Sequence, residues 1–234
     1  MKEFIKKEKF NPSFFSLFYH PFYFVRREIF CFLRNNSYFL CGNLLDFGGG
    51  SKPYQNLFVK SQNYFSIEVL SNKENLESDV YYNGSKLPFA DNAFDSILCT
   101  EVFEHVENIN EVVLELFRVL KPGGKMIVTT PFMCIEHEMP FDFRRFSFNG
   151  LKSLMINNNF KILKSQKLLN NFHVIFQTLN FYIYQVLLKK KSRYRKYLVY
   201  FFLSGPVNFA SIIVNFFLPK ADEMYFGTGM VVTK

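Results

Sequence analysis

The run Leu44-Leu45-Asp46-Phe47-Gly48-Gly49-Gly50 constrains the fold of this chain more than any other stretch. Two leucines, an acid and a phenylalanine lead straight into three glycines. Buried parallel strands end this way when the following turn must let a ligand approach the main chain. A side chain at those positions would stand between ligand and backbone. The competing reading is a tight strand-to-helix turn that binds nothing.

The rest of the chain supports an α/β fold. With 234 residues there is room for one such domain and a sizeable core, while two full domains would be cramped. Apolar content of 49% beside 21% charge indicates a globular chain. Tyr64-Phe65-Ser66-Ile67-Glu68 is a second short apolar run ending on an acid, and Ala93 to Thr100 reads as a third strand. From Asn110 to Leu120, Val113, Leu114, Phe117 and Leu120 recur at helical spacing, and Lys121-Pro122-Gly123-Gly124 stops that helix. Lys125 to Thr130 is the next strand, ended by Pro131. Strands alternating with helices argue for a mainly parallel sheet covered on both faces. Ligands of such sheets sit beyond the carboxyl ends of the strands, where Asp46, Glu68, Thr100 and Thr130 are all expected.

Glu68 follows Asp46 by 22 residues, about the spacing at which an acid holds a ribose diol in nucleotide-binding folds. A dinucleotide site would need G-x-G-x-x-G, but position 53 is Pro. This disfavours a nicotinamide-dependent enzyme and leaves an adenosine ligand without pyrophosphate, of which S-adenosylmethionine is the obvious example.

At this point the chain resembles the class I S-adenosylmethionine-dependent methyltransferases, in particular the methyltransferase type 11 group. The likeness runs from about Leu44 to Ile162. It takes in Leu45 to Gly50, Glu68, Leu87-Pro88-Phe89-Ala90-Asp91-Asn92-Ala93-Phe94-Asp95, Glu101-Val102-Phe103-Glu104-His105-Val106 and Arg118-Val119-Leu120-Lys121-Pro122-Gly123-Gly124. Five pieces in the right order are specific, although none is so alone. The resemblance implies a Rossmann-like, mainly parallel seven-stranded sheet with an antiparallel last strand and a helical insertion before it. It also implies S-adenosylmethionine as cofactor. Asp46, Gly48 and Gly50 would shape the pocket for its methionine part and Glu68 would hold the ribose. Asn83 would accept from the adenine amino group, and Thr100 and Glu101 would line the floor near the sulfonium. Two positions depart from the family pattern: Lys52 stands where many relatives have a third glycine, and Gly49 replaces a commoner Cys, Ala or Ser.

Methyl transfer to a hydroxyl benefits from a general base. The segment Pro131 to Phe146, after the fifth strand, holds one His, three acids and two Arg. His137 is the expected base, with Asp142 orienting it or binding a substrate hydroxyl. Arg144 and Arg145 would hold a phosphate or carboxylate of the acceptor. An ion-paired structural loop is the alternative. His105 is expected to be a structural helix-start residue. No metal is expected, because no second ligand pair has suitable spacing.

Residues 1–43 are read as an N-terminal helical cover, 44–168 as the core, 169–222 as an apolar and basic helical insertion, and 223–234 as the last strand. Phe160 to Lys164 and Gly229 to Thr233 are the strands flanking the insertion. Within it, Lys189-Lys190-Lys191-Ser192-Arg193-Tyr194-Arg195-Lys196 carries most of the +8 net charge. So local a cluster weighs against nucleic acid as a partner. The uncharged run Tyr197 to Pro219, split by Gly205-Pro206, suggests a helical hairpin lying on an anionic membrane. The same helices would serve equally as a homodimer interface or a cap on the substrate pocket. Cys31, Cys41, Cys99 and Cys134 lack CxxC spacing, and no signal-peptide core follows Met1. The expectation is a cytoplasmic protein, peripheral on the inner face of the membrane, that O-methylates a sugar, glycan or lipid-linked acceptor. A non-catalytic membrane adaptor on the same fold is the alternative.

Overall fold

The computed structural model describes residues 8–70, 78–188 and 200–234. The basic cluster at 189–196 lies outside them. The chain divides into two compact units: residues 32–132, 136–166 and 227–234 form one, and residues 1–31, 133–135 and 167–226 form the other.

The larger unit is built on a seven-stranded sheet in the order β3-β2-β1-β4-β5-β7-β6. The strands are β1 Gly42–Phe47, β2 Ser61–Val69, β3 Val80–Tyr82, β4 Phe94–Thr100, β5 Leu120–Pro131, β6 Lys161–Asn170 and β7 Tyr225–Thr233. β1, β2, β3, β4 and β5 pair in parallel, and β7 runs antiparallel to β5. The expected mainly parallel sheet with an antiparallel last strand is therefore present. Its central strands read as unbroken apolar runs because both faces are covered: Leu44, Leu45, Ile97, Leu98, Ile127 and Val128 are all fully buried. β6 is an edge, and Lys161 and Lys164 give it the charge that discourages edge-to-edge association.

Helix α1 spans Tyr23–Asn36, α2 Ile109–Val119, α3 Phe148–Asn157, α4 His173–Ile183 and α5 Gly205–Phe217. α2 starts and stops where the sequence indicates, but its buried face differs from the expected one. Val112, Val113, Leu116 and Val119 face the core, whereas Leu114 is 51% exposed. Glu111, Glu115 and Arg118 form a polar stripe at i, i+4 and i+7, and Leu114 lies on that stripe.

The smaller unit has its own core of Leu17, Phe24, Leu169, Val174, Phe181 and Phe226. A buried amide network crosses it. Asn180 donates to Asn208, which donates to the carbonyls of Leu17 and His20, and Gln177 donates to the Pro21 carbonyl. The Gly205-Pro206 pair does not split the apolar run as expected, since helical structure continues from Tyr200 to Phe217. A π-helical turn at Tyr200–Ser204 precedes α5, and Pro206 falls in the first turn of α5, where a missing N–H costs little.

Candidate active site

The parallel register sets one row of residues along the carboxyl rim of the sheet. Phe47 pairs with Ile67 and Cys99, which brings Gly48, Glu68 and Thr100 to the next level, and Thr100 pairs with Thr129. The expected rim therefore exists, with Thr129 in the place assigned to Thr130. Thr100 Oγ1 is buried and finds no partner among the described residues.

The glycine turn is shaped by the acid before it. Asp46 is buried, and the Tyr64 hydroxyl donates to its Oδ2. Burial pushes its carboxyl up to about 7, with the Tyr64 bond and Lys52 opposing and the Glu68 charge assisting. A Cβ on Gly49 would lie 2.5 Å from Asp46 Oδ2, and one on Gly48 would lie 2.5 Å from Val102 Cγ2. Gly48 and Gly50 also have φ of +72° and +48°. A commoner Ala or Ser at position 49 would thus collide with the acid. Lys52 itself has φ +53° and its ammonium sits 2.7 Å from Asp79. Asp79 in turn accepts from the backbone N–H and hydroxyl of Ser66. These bonds outweigh partial desolvation and hold Asp79 below the usual carboxylate range. The loop that glycine would form freely is here tied to β2 by an ion pair.

Among the other expected cofactor residues, Glu68 is buried at the end of β2, where its carboxylate accepts from the Val69 N–H at 3.2 Å. Glu101 takes a positive φ of 55° just beyond β4 and accepts from Thr129 Oγ1 at 2.9 Å. A non-glycine residue held there is the kind of strain that collects at functional sites. Asn83 directly follows β3 at the carboxyl end of the sheet. It is exposed, and its amide oxygen accepts from the N–H and hydroxyl of Ser85.

The loop after β5 is stapled to the Phe103–His105 turn. The Phe143 N–H donates to the Glu104 carbonyl at 2.9 Å, His105 Nδ1 meets the Phe141 carbonyl at 2.8 Å, and Arg144 Nη2 donates to the Glu107 carbonyl at 2.6 Å. These bonds carry His137 to His105, with ring centroids 4.9 Å apart. Asp142 accepts from the His137 backbone N–H and lies 3.6 Å from its Nδ1. It is also gripped by both terminal nitrogens of Arg145, the main reason its carboxyl is held down at about 2. His137 and Asp142 are together as expected, while Arg145 engages Asp142 and Arg144 engages a carbonyl.

Sequence spacing missed Glu104. Its carboxylate is fully buried, and neither oxygen has a hydrogen-bond partner among the described residues. Burial, then the charge of Glu101, pushes its carboxyl well above the usual range. Glu104, His105 and His137 each offer one ligand atom within 4.8 Å of the others. Position 137 is 32 residues from 105, so only the folded loop reveals the cluster.

Residues 45–128 match the family model of the methyltransferase domain. That stretch, a little over a third of the chain, is similar to a methyltransferase domain. Its sequence relatives include the demethylmenaquinone methyltransferase of Symbiobacterium thermophilum, 40% identical over 67 residues (28% of this chain, 24% of that one). Another is the ubiquinone biosynthesis O-methyltransferase of Rickettsia conorii, 33% identical over 100 residues (37% of this chain, 34% of that one). The chain thus spans about a quarter to a third of the length of these curated relatives. Among solved structures, the [4+2]-cyclase SpnF shares the fold at TM-score 0.56 and 16% identity, covering 88% of this chain and 79% of its own. The matched residues contain the glycine turn, Glu68, Thr100 and the Glu104-His105 pair, whereas His137 and Asp142 lie beyond them.

Proposed function

We propose that the chain is an S-adenosylmethionine-dependent O-methyltransferase acting on a small hydroxylated, lipid-linked or glycan-type acceptor. The level row of Gly48, Glu68 and Thr100 on the sheet rim, with Asp46 behind the turn, carries this reading. Glu68 would accept from the ribose hydroxyls, the open backbone of Gly48 and Gly50 would face the methionine part, and Thr100 Oγ1 is a buried polar atom suited to the donor floor. The cofactor, when bound, supplies a sulfonium methyl: the O–C bond forms as the S–C bond breaks, leaving neutral S-adenosylhomocysteine and a proton. His137, oriented by Asp142, is the candidate to receive that proton. The ubiquinone relative's name favours O-methylation.

In this reading residues 44–168 carry the donor site and the 169–222 insertion meets an anionic membrane. Exposed Phe201, Phe202, Phe209, Phe216 and Phe217 support that contact. Tyr200–Phe217 is also long and apolar enough to cross a bilayer by length and composition. Calorimetric titration tests the central claim. S-adenosylmethionine and S-adenosylhomocysteine should bind and NAD should not, with Asp46→Ala and Glu68→Ala each weakening binding at least about tenfold, the loss of one charge-assisted bond. Absence of binding to the wild-type chain favours the adaptor alternative.

A further inference from the structure

We propose that Glu104, His105 and His137 form a binding site for one divalent transition-metal ion beside the methyl-transfer site. This inference rests on the O-methyltransferase reading and deepens it.

Three observations converge. First, the Glu104 carboxylate is fully buried with neither oxygen hydrogen-bonded among the described residues, a state that persists only if a cation or a proton answers it. Second, His105 Nδ1 faces the Phe141 carbonyl at 2.8 Å. A carbonyl only accepts, so Nδ1 carries the hydrogen and the neutral ring presents the Nε2 lone pair. That lone pair lies 3.7 Å from a Glu104 oxygen. With the ring neutral and the carboxylate ionised, two acceptors face each other with no donor between them, the arrangement a cation resolves. Third, His137 has Asp142 at 3.6 Å from Nδ1, the carboxylate–imidazole arrangement that orients metal-ligating histidines. Metal-bound histidines donate their other ring N–H to a carbonyl or carboxylate; His105 is placed to do so to Phe141, and Asp142 stands near His137 Nδ1 but beyond hydrogen-bond distance.

Two imidazoles and one carboxylate suit zinc and its first-row neighbours and leave positions open for water or substrate. The three ligand atoms lie within 4.8 Å of one another. Ligands on a tetrahedral ion stand about 3.4 Å apart at metal–ligand distances of about 2.1 Å. The farthest pair of donors would need to draw in by about 1.4 Å, and the His105–Glu104 pair is already within 3.7 Å. Exposed Glu138, with an oxygen 4.0 Å from His105 Nε2, stands at the open side.

An ion at this site lowers the pKa of an acceptor hydroxyl that ligates it. The hydroxyl proton then leaves to solvent, the oxygen takes the methyl, and His137 acts as ligand instead of base. Glu104-His105 follows Glu101 at the end of β4, which places the cation on the rim where the acceptor oxygen must meet the donor.

The test uses the purified full chain after chelation. Zn2+ titrated calorimetrically should bind with a stoichiometry near one, and Co2+ should give visible absorption of a nitrogen-and-oxygen-ligated ion. Glu104→Gln and His137→Ala should each weaken Zn2+ binding at least about tenfold. His137 is partly exposed, so its variant carries the test if Glu104→Gln fails to fold. No binding to the wild type, or unchanged affinity in both variants, overturns the metal site and leaves a protonated Glu104 or His105. S-adenosylmethionine is titrated into the same samples. Cofactor binding without Zn2+ binding defeats only the metal inference, and Zn2+ binding without cofactor binding defeats only the methyltransferase reading.

Discussion

Asp46 and Glu104 are both buried carboxyl groups of the same unit, and they are answered in opposite ways. Asp46 has the Tyr64 hydroxyl as a donor, whereas Glu104 has no hydrogen bond to either oxygen among the described residues. Both are driven upward by burial, Asp46 to about 7 and Glu104 well above the usual range. A donor returns part of the solvation that burial removes. The first acid can therefore serve as a fixed wall behind the glycine turn. The second needs a proton or a metal to complete it. One carboxylate is finished by the fold and the other by what the fold binds.

The largest effect that can break this comparison is the pH dependence of stability. Asp46 titrates at about 7 when folded, against 3.8 as the ordinary value for the unfolded chain. A raised pKa means the folded state holds the proton more tightly. Its contribution is full below about pH 3.8, shrinks as pH rises, and is gone above about pH 7. The loss is on the order of 4 kcal/mol for the whole shift. Urea unfolding across about pH 4 to 8 should show stability falling as pH rises, and Asp46→Asn should flatten most of the slope. Glu104 contributes with the same sign, so added Zn2+ should flatten what remains. A wild-type chain whose stability rises over that range breaks the comparison.

A smaller effect separates the two acids by their partners. Tyr64→Phe leaves Asp46 buried without its donor and should cost about 2 kcal/mol. Glu104→Gln in chelator removes no hydrogen bond, and it puts a neutral amide in place of an acid whose ionisation burial opposes. Its effect should stay within about 1 kcal/mol. If both variants melt alike, the difference in hydrogen bonding between the sites has no energetic content.

Much of this arrangement was legible in the sequence because it is local. β1 with its glycine turn, β2 ending near Glu68, β4, α2 and β5 each carry their own apolar run and stop signal. The parallel register then follows from stacking those runs. β3 escaped notice because three residues, Val80–Tyr82, are too short to show periodicity. The metal cluster escaped because it depends on how the loop after β5 folds back, through three backbone carbonyls that no side-chain pattern announces. Tyr64 was visible only as a strand residue. Its pairing with Asp46 across β1 and β2 is a product of register. The helix through Gly205-Pro206 was misread because a π-helical turn, invisible in sequence, lets proline fall in a first turn.

The smallest expected effect concerns the departure at position 52 and sharpens what the Asp46 side of the site requires. Lys52 holds φ +53°, a conformation that costs an L-residue about 1 kcal/mol and glycine almost nothing. Lys52→Gly relieves that strain. It also loosens the unfolded chain, at about 0.4 to 1 kcal/mol, and removes an ion pair with a partly exposed Asp79 worth at most about 1 kcal/mol. The contributions nearly cancel, so thermal unfolding should place the variant within about 1 kcal/mol of wild type. Lys52 also lowers the Asp46 carboxyl through its charge. Removing it should raise that pKa and move the pH-dependent loss of stability to higher pH, whereas Asp46→Asn removes most of that loss. A shift of the profile with little change in midpoint stability would mark Lys52 as the charge that tunes the wall acid. An unchanged profile would leave it only as a fastening of the loop to β2.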